Sequence, residues 1–415
     1  MQNVVIDKPY QFVPPRHGRF WPAVMGAYAP AYLRKYHGVE TFEFLGVERL
    51  KESLAAKHGV MLTPNHCRPC DPMVLGLMTA RFSQPLYIMA SWHLFMQGRL
   101  QPWLLPRMGV FSVYREGLDK DALKCAIQML VEARRPLVLF PEGIVSRTND
   151  RLNPLMDGAA FIARSAAKKR SDASPSGKVV IHPVAIRYFF CGDVENTIRP
   201  VLDDIEKRLS WQLQRDKPLV DRIVKVGDAL LTLKELEYSE KPRPGALLER
   251  VAALIDQLLT PLEHEWLAGK RQTGVTARVK AIRAAIVPDM AAGSITEEER
   301  ARRWRQLADV YLAQQAALYP ADYFDDPPTP EQLLETVERF EEDLTDTARV
   351  HRPIHVRVEV GEAIEVSPNR ERGVDTDPVM ARVRTDLETM LARSKESRPG
   401  HATRGPADVY DGSAK

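Results

Sequence analysis

Between residues 60 and 186, five short apolar runs alternate with stretches of helical periodicity, and that alternation leaves few folds open. The runs at 60–63, 86–90, 110–113, 137–140 and 179–186 have strand length. Between them, 119–134 sets Leu123, Ile127, Leu130 and Val131 on one helical face, and 156–169 reads as a second helix. Strands separated by helices are predicted to run largely parallel, since each crossover returns the chain to the same end of a sheet. The predicted class is α/β: a mixed, largely parallel central sheet flanked by helices, with an added C-terminal helical region. A chain of 415 residues with 44% hydrophobic content can bury such a core, as one large or two medium domains.

Chemistry concentrates in the loop after the first of these runs, GVMLTPNHCRPCDPMVLGLM. Pro64 ends the strand, and Asp71-Pro72 reads as a helix N-cap followed by a first-turn proline, so His66 falls in a strand-to-helix loop. Loops at the carboxyl ends of strands are where open α/β sheets bind ligands. An imidazole, with an ordinary pKa of about 6.5, accepts a proton readily near neutrality, and a nearby carboxylate fixes its tautomer. Asp71 can be that carboxylate, or it can merely cap the helix, a contribution of about 1 kcal/mol. Downstream, Phe140-Pro141-Glu142-Gly143 follows another strand-like run.

Four segments in order, NHCRPCD at 65–71, GVFSVYR at 109–115, FPEG at 140–143 and IHPVAIRY at 181–188, resemble the motif blocks of the glycerolipid acyltransferases. The lysophosphatidic acid acyltransferases, or 1-acylglycerol-3-phosphate O-acyltransferases, are the relatives most similar in kind, over about residues 40–192. The resemblance implies that His66 is a general base for an acceptor hydroxyl and that Asp71 orients it, with no covalent acyl-enzyme. It further implies a substrate site drawn from Asn65, Arg115, Glu142, Gly143, Ser146 and Arg147. The donor would be an acyl thioester, of coenzyme A or of acyl carrier protein, with no cofactor and no metal. Backbone amides of residues 65–68 are candidate oxyanion donors. Glu142, which would repel a phosphate, is expected to bond a hydroxyl or to orient an arginine, Arg147 being the nearest. Where the family more often has Thr-Arg after the glycine, this chain has Ile144-Val145; Ser146, Arg147 and Arg151 are candidates to compensate. The departure leaves room for a different lyso-lipid or an amine acceptor. A non-catalytic lipid-binding protein of the same fold is the reading from another class.

A formal charge of +3 and a pI of about 8.5, without interleaved basic and aromatic residues, give no reason to expect a nucleic-acid partner. Residues 16–36 combine Trp21, Tyr28 and Tyr32 with Arg16, Arg19, Arg34 and Lys35, a composition suited to a membrane surface. Its apolar part, residues 20–33, is interrupted by Pro22 and Pro30 and is too short for a bilayer needing about 20 apolar residues. It can equally pack on the catalytic domain as a helical arm. Asp7 and Lys8 interrupt any secretory signal, so the expected location is cytoplasmic, peripheral on the inner face of the cell membrane. Cys67 and Cys70 form a C-x-x-C, yet Cys125 and Cys191 supply no second pair at metal-ligand spacing, so both read as filler.

The expected layout is an N-terminal amphipathic or helical arm at 1–39, an acyltransferase domain at 40–266, a helical insertion or extension at 267–352, and a further strand-helix unit at 353–394 able to complete the sheet. A disordered tail is expected at 395–415. Two segments compete for the terminal strand, RIVKVGDALLTL at 222–233 and VRVEVGEAIEV at 356–366.

Overall fold

The computed structural model describes residues 7–173, 177–319, 323–369, 377–398 and 409–411, without the side chains of 173 and 409–411. The chain divides into two compact units, one made of 12–113, 119–192 and 350–415, the other of 1–11, 114–118 and 193–349.

The first unit opens with α1 (Phe20–His37), β1 (Val39–Leu45), α2 (Val47–Ala55), β2 (Gly59–Pro64), α3 (Asp71–Ala80), β3 (Tyr87–Ser91) and a 3-10 turn (Trp92–Met96). It continues through α4 (Leu100–Arg107), β4 (Val110–Val113), α5 (Lys120–Glu132), β5 (Leu137–Val138), α6 (Gly158–Ala173) and β6 (Val179–Phe190). The second unit contains α7 (Val194–Arg208), α8 (Leu219–Ser239), α9 (Leu247–Leu267), α10 (Val275–Ala292), α11 (Glu297–Ala316) and α12 (Pro330–Thr345). The chain then returns to the first unit as β7 (Ile354–Val360), β8 (Ile364–Glu365), α13 (Pro378–Glu396) and β9 (Val409–Asp411).

The strands form one mixed sheet in the order β4-β3-β5-β2-β6-β7-β1-β9, with β8 beside β6. Its half from β4 to β6 is wholly parallel, and β7 enters antiparallel to β6 but parallel to β1. This is the expected α/β architecture. β2 lies near the middle and every residue of it is buried, which suits its continuous apolar run. Gly59 opens it because a Cβ there would meet the Leu130 carbonyl at 2.3 Å. Helices α5, α6 and α13 cover the sheet around a core of Met61, Phe111, Leu137, Ile181 and Leu387.

Three expectations change. The segment 222–233 is helix, inside α8, and β7 is the strand that completes the sheet. The V-K-V alternation there is too short to separate a period of 2 from 3.6, and burial of Arg222, Ile223, Val226 and Glu235 at helical spacing decides it. The predicted domain limits move accordingly: the helical unit begins at 193, not 267, so an acyltransferase domain over 40–266 would cut through it. Of the predicted disordered tail, α13 runs to Glu396 and β9 pairs antiparallel with β1, while 399–408 and 412–415 lie outside the described residues.

The helical unit has its own core, with Leu258, Leu259, Ile282, Ile286 and Val310 at its centre. Its helices α8, α9 and α10 begin at 219, 247 and 275, a 28-residue step. A buried arginine follows each start by three residues. Arg250 binds Glu235 at 2.7 Å and also Asp228, 15 and 22 positions back. Arg278 binds Glu263 at 2.7 Å and Asp256 at 2.6 Å at those same separations. Arg222 pairs with Glu206 and Asp203 of α7, both at 2.8 Å. Each helix is thus tied to its predecessor by a guanidinium fork, in an internal repeat.

Candidate functional site

β2 and β5 are neighbours in parallel register, Leu62 beside Val138, so the loops leaving their carboxyl ends start side by side. The first loop carries Asn65 and His66; the second carries Phe140, Glu142 and Gly143. Sheet topology therefore brings together segments more than seventy positions apart in the chain.

The His66 Nδ1 lies 2.8 Å from Asp71 Oδ2. A carboxylate only accepts, so the ring proton is on Nδ1 and Nε2 keeps its lone pair. Nε2 has no hydrogen-bond partner among the described residues, and the histidine side chain retains 15% of its exposure. The ring lies over Phe140, centroids 4.0 Å apart and planes 27° from parallel, which limits its rotation. Asp71 does not cap α3: Cys70 holds the N-cap position without a side-chain bond. Instead the fully buried Asp71 carboxylate also accepts from the Arg68 amide at 2.9 Å and the Tyr188 hydroxyl at 2.7 Å. Three donors hold it in one orientation. Burial, followed by the charge of Asp71, raises the Tyr188 phenol well above its ordinary range, so it stays a donor.

Glu142 is the link between the two loops. Its Oε1 accepts the His66 amide at 2.7 Å and its Oε2 the Asn153 amide at 3.0 Å. Among the described residues it orients no arginine, contrary to expectation. Burial raises its carboxyl to about 7, against the lowering effect of those two amides. Across the same gap the Ser146 amide donates to the His66 carbonyl at 2.7 Å.

Asn65 and Ser146, expected at the substrate, are buried with side chains engaged in the protein. The Asn65 carboxamide continues the ladder onto β6, donating to the Ile186 carbonyl at 2.9 Å and accepting its amide at 2.7 Å. The Ser146 hydroxyl closes a turn onto Thr148. The amides of Asn65, His66 and Arg68 are likewise committed, to Val184, Glu142 and Asp71, and so are withdrawn from the candidate oxyanion donors. Gly143 has φ +70°, and a Cβ on it would come 2.3 Å from the Met156 methyl. Arg147 is also left-handed, φ 55°. Arg115 belongs to the helical unit, with Glu116 and Arg283; burial first, then the charge of Arg283, lowers it to about 10. Cys67 and Cys70 are buried thiols beside Asp71 and Tyr188, and burial pushes Cys70 up to about 12.

Residues 46–187 match the family model described as Acyltransferase, and the match contains the His66–Asp71 pair, the Glu142 loop and nearly all of β6. Those residues form an acyltransferase-family domain within the chain. No curated protein matched the chain. The family, which includes the glycerolipid acyltransferases, establishes an acyl-transfer domain for the α/β unit.

Three contributors to the acyltransferase site escaped sequence reasoning. Tyr188 ends the fourth block yet gave no sign of reaching Asp71. Asn149 copies the Asn65 device two residues along β6, bonding the Tyr188 amide at 2.7 Å and its carbonyl at 2.6 Å. Asn153 contributes through its backbone, which leaves no mark in sequence. Phe140, read as the end of the strand-like run 137–140, is the ring that stacks on His66.

Proposed function

We propose that the protein transfers a fatty acyl group from an acyl thioester, of coenzyme A or acyl carrier protein, to the free hydroxyl of a lysophospholipid, with 1-acylglycerol-3-phosphate the leading acceptor. The observation that carries this reading is the His66 ring: one nitrogen bound to buried Asp71, the other without a hydrogen-bond partner among the described residues. In the proposed reaction Nε2 takes the acceptor proton as the hydroxyl oxygen bonds to the thioester carbonyl carbon. The tetrahedral intermediate collapses, the carbon–sulfur bond breaks, and the imidazolium returns the proton to the departing thiolate. Asp71 stabilises that imidazolium, while Tyr188 and the Arg68 amide hold Asp71 still.

Gly143 and Arg147 supply a close-approaching backbone and a guanidinium for the acceptor phosphate. Glu142 acts by positioning the histidine loop. Replacing Ile144-Val145 by Thr-Arg tests the acceptor assignment, with increased preference for phosphorylated acceptors expected. Thiol release measured across acceptors with and without a phosphate is the primary assay. His66→Ala should lower turnover by about 10²- to 10⁴-fold with an unchanged melting temperature. Full turnover by that variant on every acceptor would end the base assignment.

The membrane is the proposed source of the acceptor. No helix among the described residues is long and apolar enough to cross one. On α1, Ala29 and Leu33 are buried, while Phe20, Val24, Tyr28 and Tyr36 are exposed. The exposed Leu100 and Trp103 of α4 extend this apolar surface, Trp21 meeting Trp103 edge-on at 4.9 Å. Phe20→Ser with Leu100→Ser should reduce flotation with liposomes severalfold at unchanged stability; undiminished flotation would remove this face from the account.

A further inference from the structure

At the end of the sheet opposite His66, a cavity of about 210 Å³ opens where Tyr87 begins β3 and Arg134-Arg135 lead into β5. His17 and Arg19, just before α1, complete its basic wall. Three guanidinium groups line it. Arg135 is 7% exposed, and its Nη2 donates to the carbonyls of His17 and Gly18, neutral acceptors. Its Nη1 is buried with no hydrogen-bond partner, and no carboxylate pairs with Arg135 among the described residues. Among the described residues Arg19 has only a carbonyl acceptor, Ser83 at 2.6 Å, and of the three arginines Arg134 alone has a carboxylate, Glu132 at 3.3 Å.

A buried guanidinium without a counter-charge is costly, and an incoming anion would remove that cost. Burial, with a smaller contribution from the charge of Arg19, already lowers Arg135 below its ordinary range. The surroundings favour an oxyanion over a metal or an apolar ligand: the wall presents cations, while the Tyr87 hydroxyl is bonded to His17 and the Gln84 amide to backbone carbonyls.

We infer that this cavity binds a phosphate-class oxyanion at a second site, separate from the His66 cleft. Its residues come from the amino ends of β3 and β5 and from the segment leading into α1. An anion here ties together three chain segments without touching the reacting atoms. The ligand is a free phosphate or the phosphate of a lipid headgroup; the exposed Phe20 beside Arg19 suits the second as well as the first.

The full-length protein is titrated with inorganic phosphate by calorimetry and thermal shift, and floated with phosphatidylcholine vesicles with and without phosphatidylglycerol. Arg19→Gln with Arg134→Gln is compared with the charge-matched control Lys120→Gln with Lys124→Gln on exposed α5 positions, and with His66→Ala. Neither test substitution removes Arg135, which also anchors the arm and whose loss could unfold it. Saturable phosphate binding weakened about tenfold or more in the cavity variant, but kept in the control and in His66→Ala, supports the site with free phosphate as ligand. Phosphatidylglycerol-dependent flotation lost only in the cavity variant supports it with a lipid headgroup. Absence of both effects in the wild type, equal losses in cavity and control variants, or loss in His66→Ala would overturn it.

Discussion

Glu142 shows how a single buried carboxyl makes the histidine loop sensitive to pH. Its value of about 7, against an ordinary 4.5, means that between those limits the native state holds a proton the unfolded chain has released. Its contribution to stability is therefore fully present below pH 4.5 and is lost as pH rises through 7, by up to about 3 kcal/mol. Glu142→Gln should abolish that component, and the check is the difference in urea unfolding free energy between variant and wild type at pH 5 and pH 8. Glutamine keeps one acceptor but turns an amide group toward the other backbone donor, so turnover should also fall, while the melting curve stays cooperative. Of this site, His66 and Asp71 were legible because their spacing and the strand-to-helix context lie within one short segment. The roles of Glu142 and Asn65 were not legible, because a side chain that binds a backbone amide on another loop reads in sequence like one that binds substrate. The same ambiguity hid Tyr188, whose reach to Asp71 depends on β6 lying beside β2.

At the scale of the element, the helical unit was misread where its repeat is plainest. Arg222, Arg250 and Arg278 recur at 28-residue spacing, the last two with acids at the same offsets of 15 and 22, but the apolar alternation around Val224 and Val226 suggested a strand. Tertiary packing settled it, since the helix buries its arginine at the same face as Ile223 and Val226. Each arginine shares one deeply buried partner, so removing it strands a charge: Arg278→Met should destabilise the unit by about 3–5 kcal/mol. Adding Glu263→Leu should recover most of the loss, and urea denaturation followed by helical circular dichroism reads both. A double variant no more stable than the single one would show that the pair is not what couples α9 to α10. By contrast the start of α12 is set locally, because Thr329, Pro330 and Gln332 form a capping box that depends only on neighbours.

For the whole molecule, the helical unit is inserted between two strands that already pair. β6 ends and β7 begins with Phe190 opposite Ile354, and the Cys191 amide donates to the Pro353 carbonyl at 2.9 Å. Replacing residues 193–349 with a short glycine-serine turn should therefore leave an α/β unit with a cooperative unfolding transition and mixed helix-strand circular dichroism. Loss of cooperativity would mean that the unit relies on its insertion. Taken alone, the sequence determined the α/β class, the parallel run of strands and the placing of His66 and Asp71 around one strand-to-helix loop, because periodicity, turn residues and caps act over a few neighbours. Only the tertiary structure decided which of two look-alike segments completes the sheet, what Glu142 and Asn65 hold, and where three arginines gather around one carboxylate. Those are outcomes of strand order and burial, quantities set by contacts between residues that the chain keeps far apart.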